Sequence, residues 1–396
     1  MPGAAFTGTI HPMSSPLEEL TLDELRRRRS VKWRAYDPDV LPLWVAEMDT
    51  PLAPPIRDAL ATAVALGDTG YANSDGLPSA FAGFAKRRWN WDVDPASVLL
   101  CPDVAAGALA ALGAIVQPGE TVVINTPVYP PFFAWIRQHG LKVAPSPLRR
   151  TVFGYELDLD RLESDFAAGP AAYLLCNPHN PCGVVYERED LLAIAELAHR
   201  YDVRVIADEI HAPLTAPGVP HVPFASLDTE ASARGFTMVA ASKAWNLAGL
   251  KAAMLLPGPE ADVPRLEEDY AENAGLFGVI ASQAAYDHGE EWLDALRRGI
   301  ADNARLLGDL LFEELTDVGY HEPRGTYLTW LDFTAYDLGD DPAEFLAETG
   351  RVALTPGTMF GEEGKGHARL NLATSPEILT EAVYRMAAAV NDRAAG

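Results

Sequence analysis

The 396-residue sequence predicts an α/β fold, a mostly parallel sheet covered by helices on both faces, followed by a smaller α+β domain. Three observations carry this expectation. From about Ile56 to Gly289, short apolar runs alternate with stretches of helical period, the pattern of repeated strand and helix units. After Trp292 the pattern changes to a long helical stretch, then the alternating segment Gly325 to Phe333, then more helix. Several of the apolar runs also stop at polar or aromatic residues, and in open α/β sheets ligands bind outside the carboxyl ends of the strands.

Taken in order, residues 1 to 15 read as a loose tail and Arg26 to Arg29 as a solvated helix face. The turn Cys101-Pro102-Asp103-Val104-Ala105 precedes an alanine-rich helix, and free amides at a helix start form a natural anion site. Val122 to Ile124 is a strand that stops at Pro127 and delivers Tyr129 just beyond. Ala171 to Cys176 is another, closed by Asn177-Pro178-His179-Asn180-Pro181-Cys182-Gly183, where Pro and Gly fix the backbone and Asn180 projects from the strand's end. Leu191, Ile194, Ala195 and Ala198 form one helical stripe, with acids from Glu187 to Asp190 before it and His199 and Arg200 after it, as the helix dipole favours.

Val205 to Ala207 reads as a buried parallel strand with Asp208, Glu209 and His211 at its carboxyl end. Strand alternation turns Glu209 away from Asp208, toward a structural role. Pro213 to Pro223 reads as a surface loop, and Phe236 to Ala241 as a strand ending at Ser242-Lys243, which puts a lysine at the same edge. Gly325 to Phe333 alternates like a half-exposed strand.

Composition narrows the function classes. With 48% hydrophobic residues the chain can bury a large core, and its formal charge of -25 argues against nucleic-acid binding, which needs lysine and arginine clusters. Cys101, Cys176 and Cys182 show neither metal-type spacing nor a disulfide framework, which suits a reducing cytoplasm. No secretion signal, membrane-length apolar run, dinucleotide fingerprint, phosphate loop or internal repeat is visible.

Together, the Asn180, Asp208 and Lys243 segments resemble fold-type I pyridoxal 5'-phosphate enzymes of the class I/II aminotransferase superfamily. Lys32-Trp33, Leu43 to Asp49, His211 where aminotransferases usually carry tyrosine, and Arg369 to Thr374 resemble the MalY/PatB branch of cystathionine β-lyases, or C-S lyases. The resemblance runs from about Ser30 to Leu379. It implies a large domain with a seven-stranded type of mostly parallel sheet over 56–289, and a small α+β domain over 290–396. The segment 16–55 then packs with the small domain, leaving a cleft.

The resemblance also implies site roles. Lys243 forms the Schiff base with the cofactor and later takes the Cα proton; Asp208 holds the pyridine nitrogen protonated. Asn180 and His211 serve the ring oxygen, and Tyr129 stacks on the ring. Amides of Val104 and Ala105, with Ser242 and Lys251, take the phosphate, and Tyr71 reaches it from a second subunit. Arg369 clamps the substrate α-carboxylate, in reach of Asn180 and Tyr129. Trp44 to Asp49 and Tyr327 to Trp330 line the cleft. Three positions depart from the family: Asp103 stands where glycine is usual and would repel a phosphate unless turned away, Ala240 replaces a frequent hydroxyl residue, and Lys251 replaces an arginine.

The implied activity is carbon–sulfur β-elimination on a cysteine S-conjugate, giving pyruvate and ammonia, in a cytoplasmic homodimer whose site is shared across the interface. An aminotransferase would use the same residues. A non-catalytic regulatory protein on the same fold is the alternative of another class.

Overall fold

Seven strands build the main sheet of the computed structural model, which describes residues 14–73, 75–263 and 273–395. They are β1 (Leu99–Cys101), β2 (Thr121–Ile124), β3 (Lys142–Pro145), β4 (Ala172–Cys176), β5 (Arg204–Asp208), β6 (Phe236–Val239) and β7 (Ala253–Pro257). Their spatial order is β1-β7-β6-β5-β4-β2-β3, and only the pairings of β7 are antiparallel. Strands running the same way need long connections, supplied here by the helices Val104–Ile115, Pro131–Gln138, Leu159–Ala167 and Arg188–Arg200.

Strand alternation explains why these runs are apolar throughout. On β4 and β5, Leu174 and Ile206 pack with Val104 and Ala108 on one face of the sheet. Tyr173, Leu175, Val205 and Ala207 pack with Leu162, Phe166, Leu191 and Ile194 on the other. A fully buried side chain of this size contributes about 1.5–3 kcal/mol, so a one-residue slip in register would be costly. The same alternation puts Asp208 on the face of the Val104–Ile115 helix. Glu209 lies on the opposite side, fully buried, where it accepts from Phe224 N at 2.7 Å and pairs with His221 at 3.3 Å.

A second, antiparallel sheet of four strands follows: β8 (Gly319–Tyr320), β9 (Leu328–Asp332), β10 (Thr355–Pro356) and β11 (His367–Asn371), in the order β8-β9-β11-β10. Helices Glu290–Glu314 and Pro376–Ala395 pack on each other. Asn303 of the first donates to the Leu372 and Thr374 carbonyls, both at 2.8 Å, and ties that pair to the end of β11. Leu41–Pro42 pairs in parallel with Val352–Ala353, and Leu43 O accepts from Asn371 N at 2.9 Å.

Three expectations are corrected. β9 is buried on both faces rather than half-exposed, because Trp330 is covered by Phe360 and stacks on His367 at 5.2 Å, while Leu331 faces the core. Arg26 to Arg29 is not a helix face: the helix ends at Leu25, and Arg28 donates to the carbonyls of Met48 at 2.9 Å and Thr50 at 2.5 Å. Of Pro213 to Pro223 only the middle is at the surface; Leu214, Thr215 and His221 are buried, and Ala216 N bonds Arg324 O. The expected tail lies outside the described residues except for Ser14 and Ser15. Among the described residues no helix is long and apolar enough to cross a membrane.

Candidate active site

Because six of the seven strands point the same way, their carboxyl ends share one edge, and a cavity of about 210 Å³ opens there. Nine of the expected site residues line it: Lys243, Asp208, Asn180, His211, Tyr129, Val104, Ala105, Ser242 and Lys251. Arg369 adjoins this set through Asn180. Tyr71 does not; it is 97% exposed.

Lys243 and Asp208 face the same space with opposite problems. Burial, then the nearby Arg369 charge, pulls the Lys243 amine down to about 8, and its Nζ donates to Ala46 O at 3.2 Å. Burial pushes the Asp208 carboxyl up to about 7, against the Ile210 amide on Oδ1 at 3.1 Å. The adjacent Glu209 raises it further and Lys243 lowers it. Among the described residues no cation lies within ion-pair distance of Asp208, so its charge is left without a direct partner.

Arg369 presents the mirror image. It is buried on β11, with Phe360 beneath its guanidinium at 5.1 Å, and it donates to Asn180 Oδ1 at 3.2 Å, Trp44 O at 2.9 Å and Thr355 Oγ1 at 3.0 Å. All three acceptors are neutral, its Nε has no partner, and burial lowers its pKa to about 10. A buried guanidinium bonded only to neutral oxygens keeps a charge that a carboxylate could pair with. His211, buried beside Tyr327 at 6.0 Å, is held well below the usual histidine range by burial and by Lys243 and Arg369, and its Nδ1 is unpartnered. The Tyr129 ring is fixed edge-on by Phe132 and Trp135, and burial pushes its hydroxyl up to about 12.

At the opposite end of the cavity, Asp103 caps the Val104–Ile115 helix. It is not turned away: Oδ1 accepts from Ala106 N at 2.9 Å and Oδ2 accepts from Lys251 Nζ at 2.9 Å.

The wall formed by residues 44–48 was legible in the sequence only as a neighbour of the cleft. Here five consecutive carbonyls are each taken by side chains. Trp44 O accepts from Arg369 and Thr355; Val45 O from Asn371 at 2.8 Å; Ala46 O from Lys243 and from Tyr327 at 3.0 Å. Glu47 O accepts from Lys32 at 3.1 Å and Asn371 at 2.7 Å, and Met48 O from Arg28 and Asn246. Lys32 also forms a buried ion pair with Asp49 at 2.8 Å. Thr355, Asn246 and Trp135 gave no signal of their own, being ordinary residues in a short strand, a turn and a helix. Trp330, expected at the cleft, packs on Phe360 and His367 instead.

The family profile for aminotransferase class I and II matches residues 38–386. The chain is 38% identical to the cystathionine beta-lyase of Corynebacterium glutamicum, over 92% of this chain and 98% of that one. It is 35% identical to cystathionine beta-lyase PatB of Bacillus subtilis, over 92% and 97%. Its fold is similar to the crystal structure of cystalysin from Treponema denticola, which contains a pyridoxal 5'-phosphate cofactor. The TM-score is 0.90 at 26% identity, covering 96% of this chain and 100% of that chain.

Proposed function

The chain belongs to the class I and II aminotransferase family, and from that premise we propose that it is a pyridoxal 5'-phosphate-dependent carbon–sulfur β-lyase acting on an L-cysteine S-conjugate such as cystathionine. The observation that carries the reading is the meeting at one cavity of a lysine lowered to about 8 and a buried carboxylate without a counter-charge, with a buried arginine without an acid adjoining them through Asn180.

The residues suit the cofactor. A protonated ring nitrogen supplies the cation that Asp208 lacks, and His211 Nδ1 is a buried polar atom without a partner beside it. When bound, pyridoxal phosphate supplies an aldehyde that takes up amino groups and a ring that withdraws electrons from Cα. Asp208 would hold the ring nitrogen, Asn180 and His211 the ring oxygen, and Tyr129 the ring face. Ser242, Lys251 and the Val104 and Ala105 amides would serve the phosphate. Arg369 holds the substrate carboxylate and so fixes which hydrogen on Cα faces Lys243. With its pKa lowered to about 8, free Lys243 is unprotonated far more often near neutral pH than an ordinary lysine, as a base removing that proton requires; a positioned base contributes roughly 10²- to 10⁴-fold.

Elimination is favoured over transamination by the relatives named cystathionine beta-lyase, which align with more than nine-tenths of the chain. The sulfur then leaves Cβ as a thiolate, and hydrolysis yields pyruvate and ammonia. Incubation with L-cystathionine or S-alkyl cysteines, without a keto acid, tests this. Continuous pyruvate and thiol release supports the lyase; turnover only after a keto acid is added identifies an aminotransferase.

The same reading takes the working form to be a cytoplasmic homodimer. Support comes from Tyr71, which is outside the lining of its own cavity and exposed, as a residue serving a second copy's phosphate would be, and from three unpaired cysteines. A fully active monomer in analytical ultracentrifugation would contradict it.

A further inference from the structure

The Asp103 carboxylate sits on donors that a phosphate at this cavity end would use. It takes the Ala106 amide and the Lys251 ammonium, both at 2.9 Å. Val104, Ala105, Ser242 and Lys251 line the cavity together with Asp103 itself. A helix start and one lysine can balance a limited amount of negative charge, and a second anion entering beside Asp103 meets repulsion. We propose that Asp103 is a built-in competitor for the cofactor's phosphate, which must share or displace its contacts to Lys251 and the helix amide, so that this residue sets how tightly the cofactor is held. The proposal rests on the pyridoxal phosphate reading above.

The geometry gives the competitor its strength and its limit. Asp103 is extended, at φ -160° and ψ 172°, an unstrained N-cap conformation. Lys251, by contrast, is fixed at φ 61° on the turn after the short helix Ala248–Leu250, so the pair is held mainly by a side chain that can rotate and a lysine stem that can follow it. Both side chains are partly solvated, at 39% and 57% exposure, which reduces the interaction from that of a buried pair to the scale of a surface one. An effect of about three- to fivefold on affinity is therefore expected, corresponding to at most about 1 kcal/mol.

The test compares wild type, Asp103→Asn and Asp103→Ser as full-length protein stripped of cofactor. Each is titrated with pyridoxal 5'-phosphate and, separately, with pyridoxal, and the visible absorbance gives Kd. Asn and Ser both cap helices well, so the substitutions remove the charge and keep the cap. The expected result is about three- to fivefold tighter binding of pyridoxal 5'-phosphate in both variants, with pyridoxal changed by less than twofold. Equal or weaker phosphate-ester binding in the variants, or an equal gain for pyridoxal, overturns the proposal while leaving the cofactor assignment standing. Failure of both variants to fold would make Asp103 a folding residue and overturn it too. If wild type and variants bind neither compound, the cofactor assignment itself falls, and this inference with it.

Discussion

Arg369 on β11 donates to Asn180 Oδ1 at 3.2 Å, joining a strand of the second sheet to the turn that follows β4 of the main sheet, 189 positions away. The bond orients both groups: Asn180 is left with its amide nitrogen for a ligand, and the guanidinium is held against Trp44 O and Thr355. Arg369→Lys keeps the charge and loses the planar fork. We expect KM for the amino-acid substrate to rise about 10- to 100-fold with a smaller change in kcat, the loss of one or two charge-assisted hydrogen bonds of about 1.5–3 kcal/mol. Asn180→Ala should give a milder version of the same split. Steady-state kinetics at saturating cofactor checks both.

Lys243→Ala removes the amine that rests on Ala46 O. Turnover should fall by at least 10³-fold, and borohydride should no longer attach the cofactor covalently to the protein, as mass spectrometry would reveal. Retained covalent labelling in this variant would move the cofactor's attachment point to another lysine.

Asp208 should make the cofactor-free protein lose stability, relative to an Asp208→Asn variant, as pH rises through the neutral range. Asp208 has a folded-state pKa of about 7, above that of an unfolded aspartate at about 4, so between these values the folded chain holds a proton that the unfolded chain has released. Its favourable contribution is fully present below about pH 4 and is lost as pH rises through 7. The span is at most about 4 kcal/mol. Urea midpoints of wild type and Asp208→Asn, compared at pH 5 and pH 8, should shift in the variant's favour at pH 8, and the variant should also bind the cofactor more weakly.

Lys32→Met leaves Asp49 buried without its cation, with the Trp33 indole at 3.2 Å as its remaining donor. Breaking one side of a buried pair costs about 3–5 kcal/mol. Adding Asp49→Asn should recover much of that loss, since the acceptor for Trp33 remains and the stranded charge does not. Denaturant unfolding of the single and double variants provides the measurement, and a single variant as stable as wild type would show the pair to be dispensable.

What could be read ahead of the structure, and what could not, follows from the range of the interactions. Alternation along Val205 to Asp208 is local, so the separation of Asp208 from Glu209 could be drawn from the residues themselves, and the two do occupy opposite faces. The burial of β9 could not be, because Phe360 and His367, which cover Trp330, arrive from far along the chain. Arg28 looked like a surface charge for a similar reason: its acceptors are main-chain carbonyls at Met48 and Thr50, and every residue has a carbonyl. Asp103 was visible as a departure, yet its engagement with Lys251 depends on two loops meeting.

The captured carbonyls of residues 44–48 bear on how the protein is made. Their donors lie both upstream, at Arg28 and Lys32, and far downstream, at Asn246, Tyr327, Thr355, Arg369 and Asn371. A nascent chain halted after β7 would already carry Lys243 and every strand of the main sheet, but the wall beside that lysine would have lost most of its clasps. Completion of the site thus waits for the last tenth of the polypeptide, and a truncated product has the reactive amine without the enclosure that disciplines it.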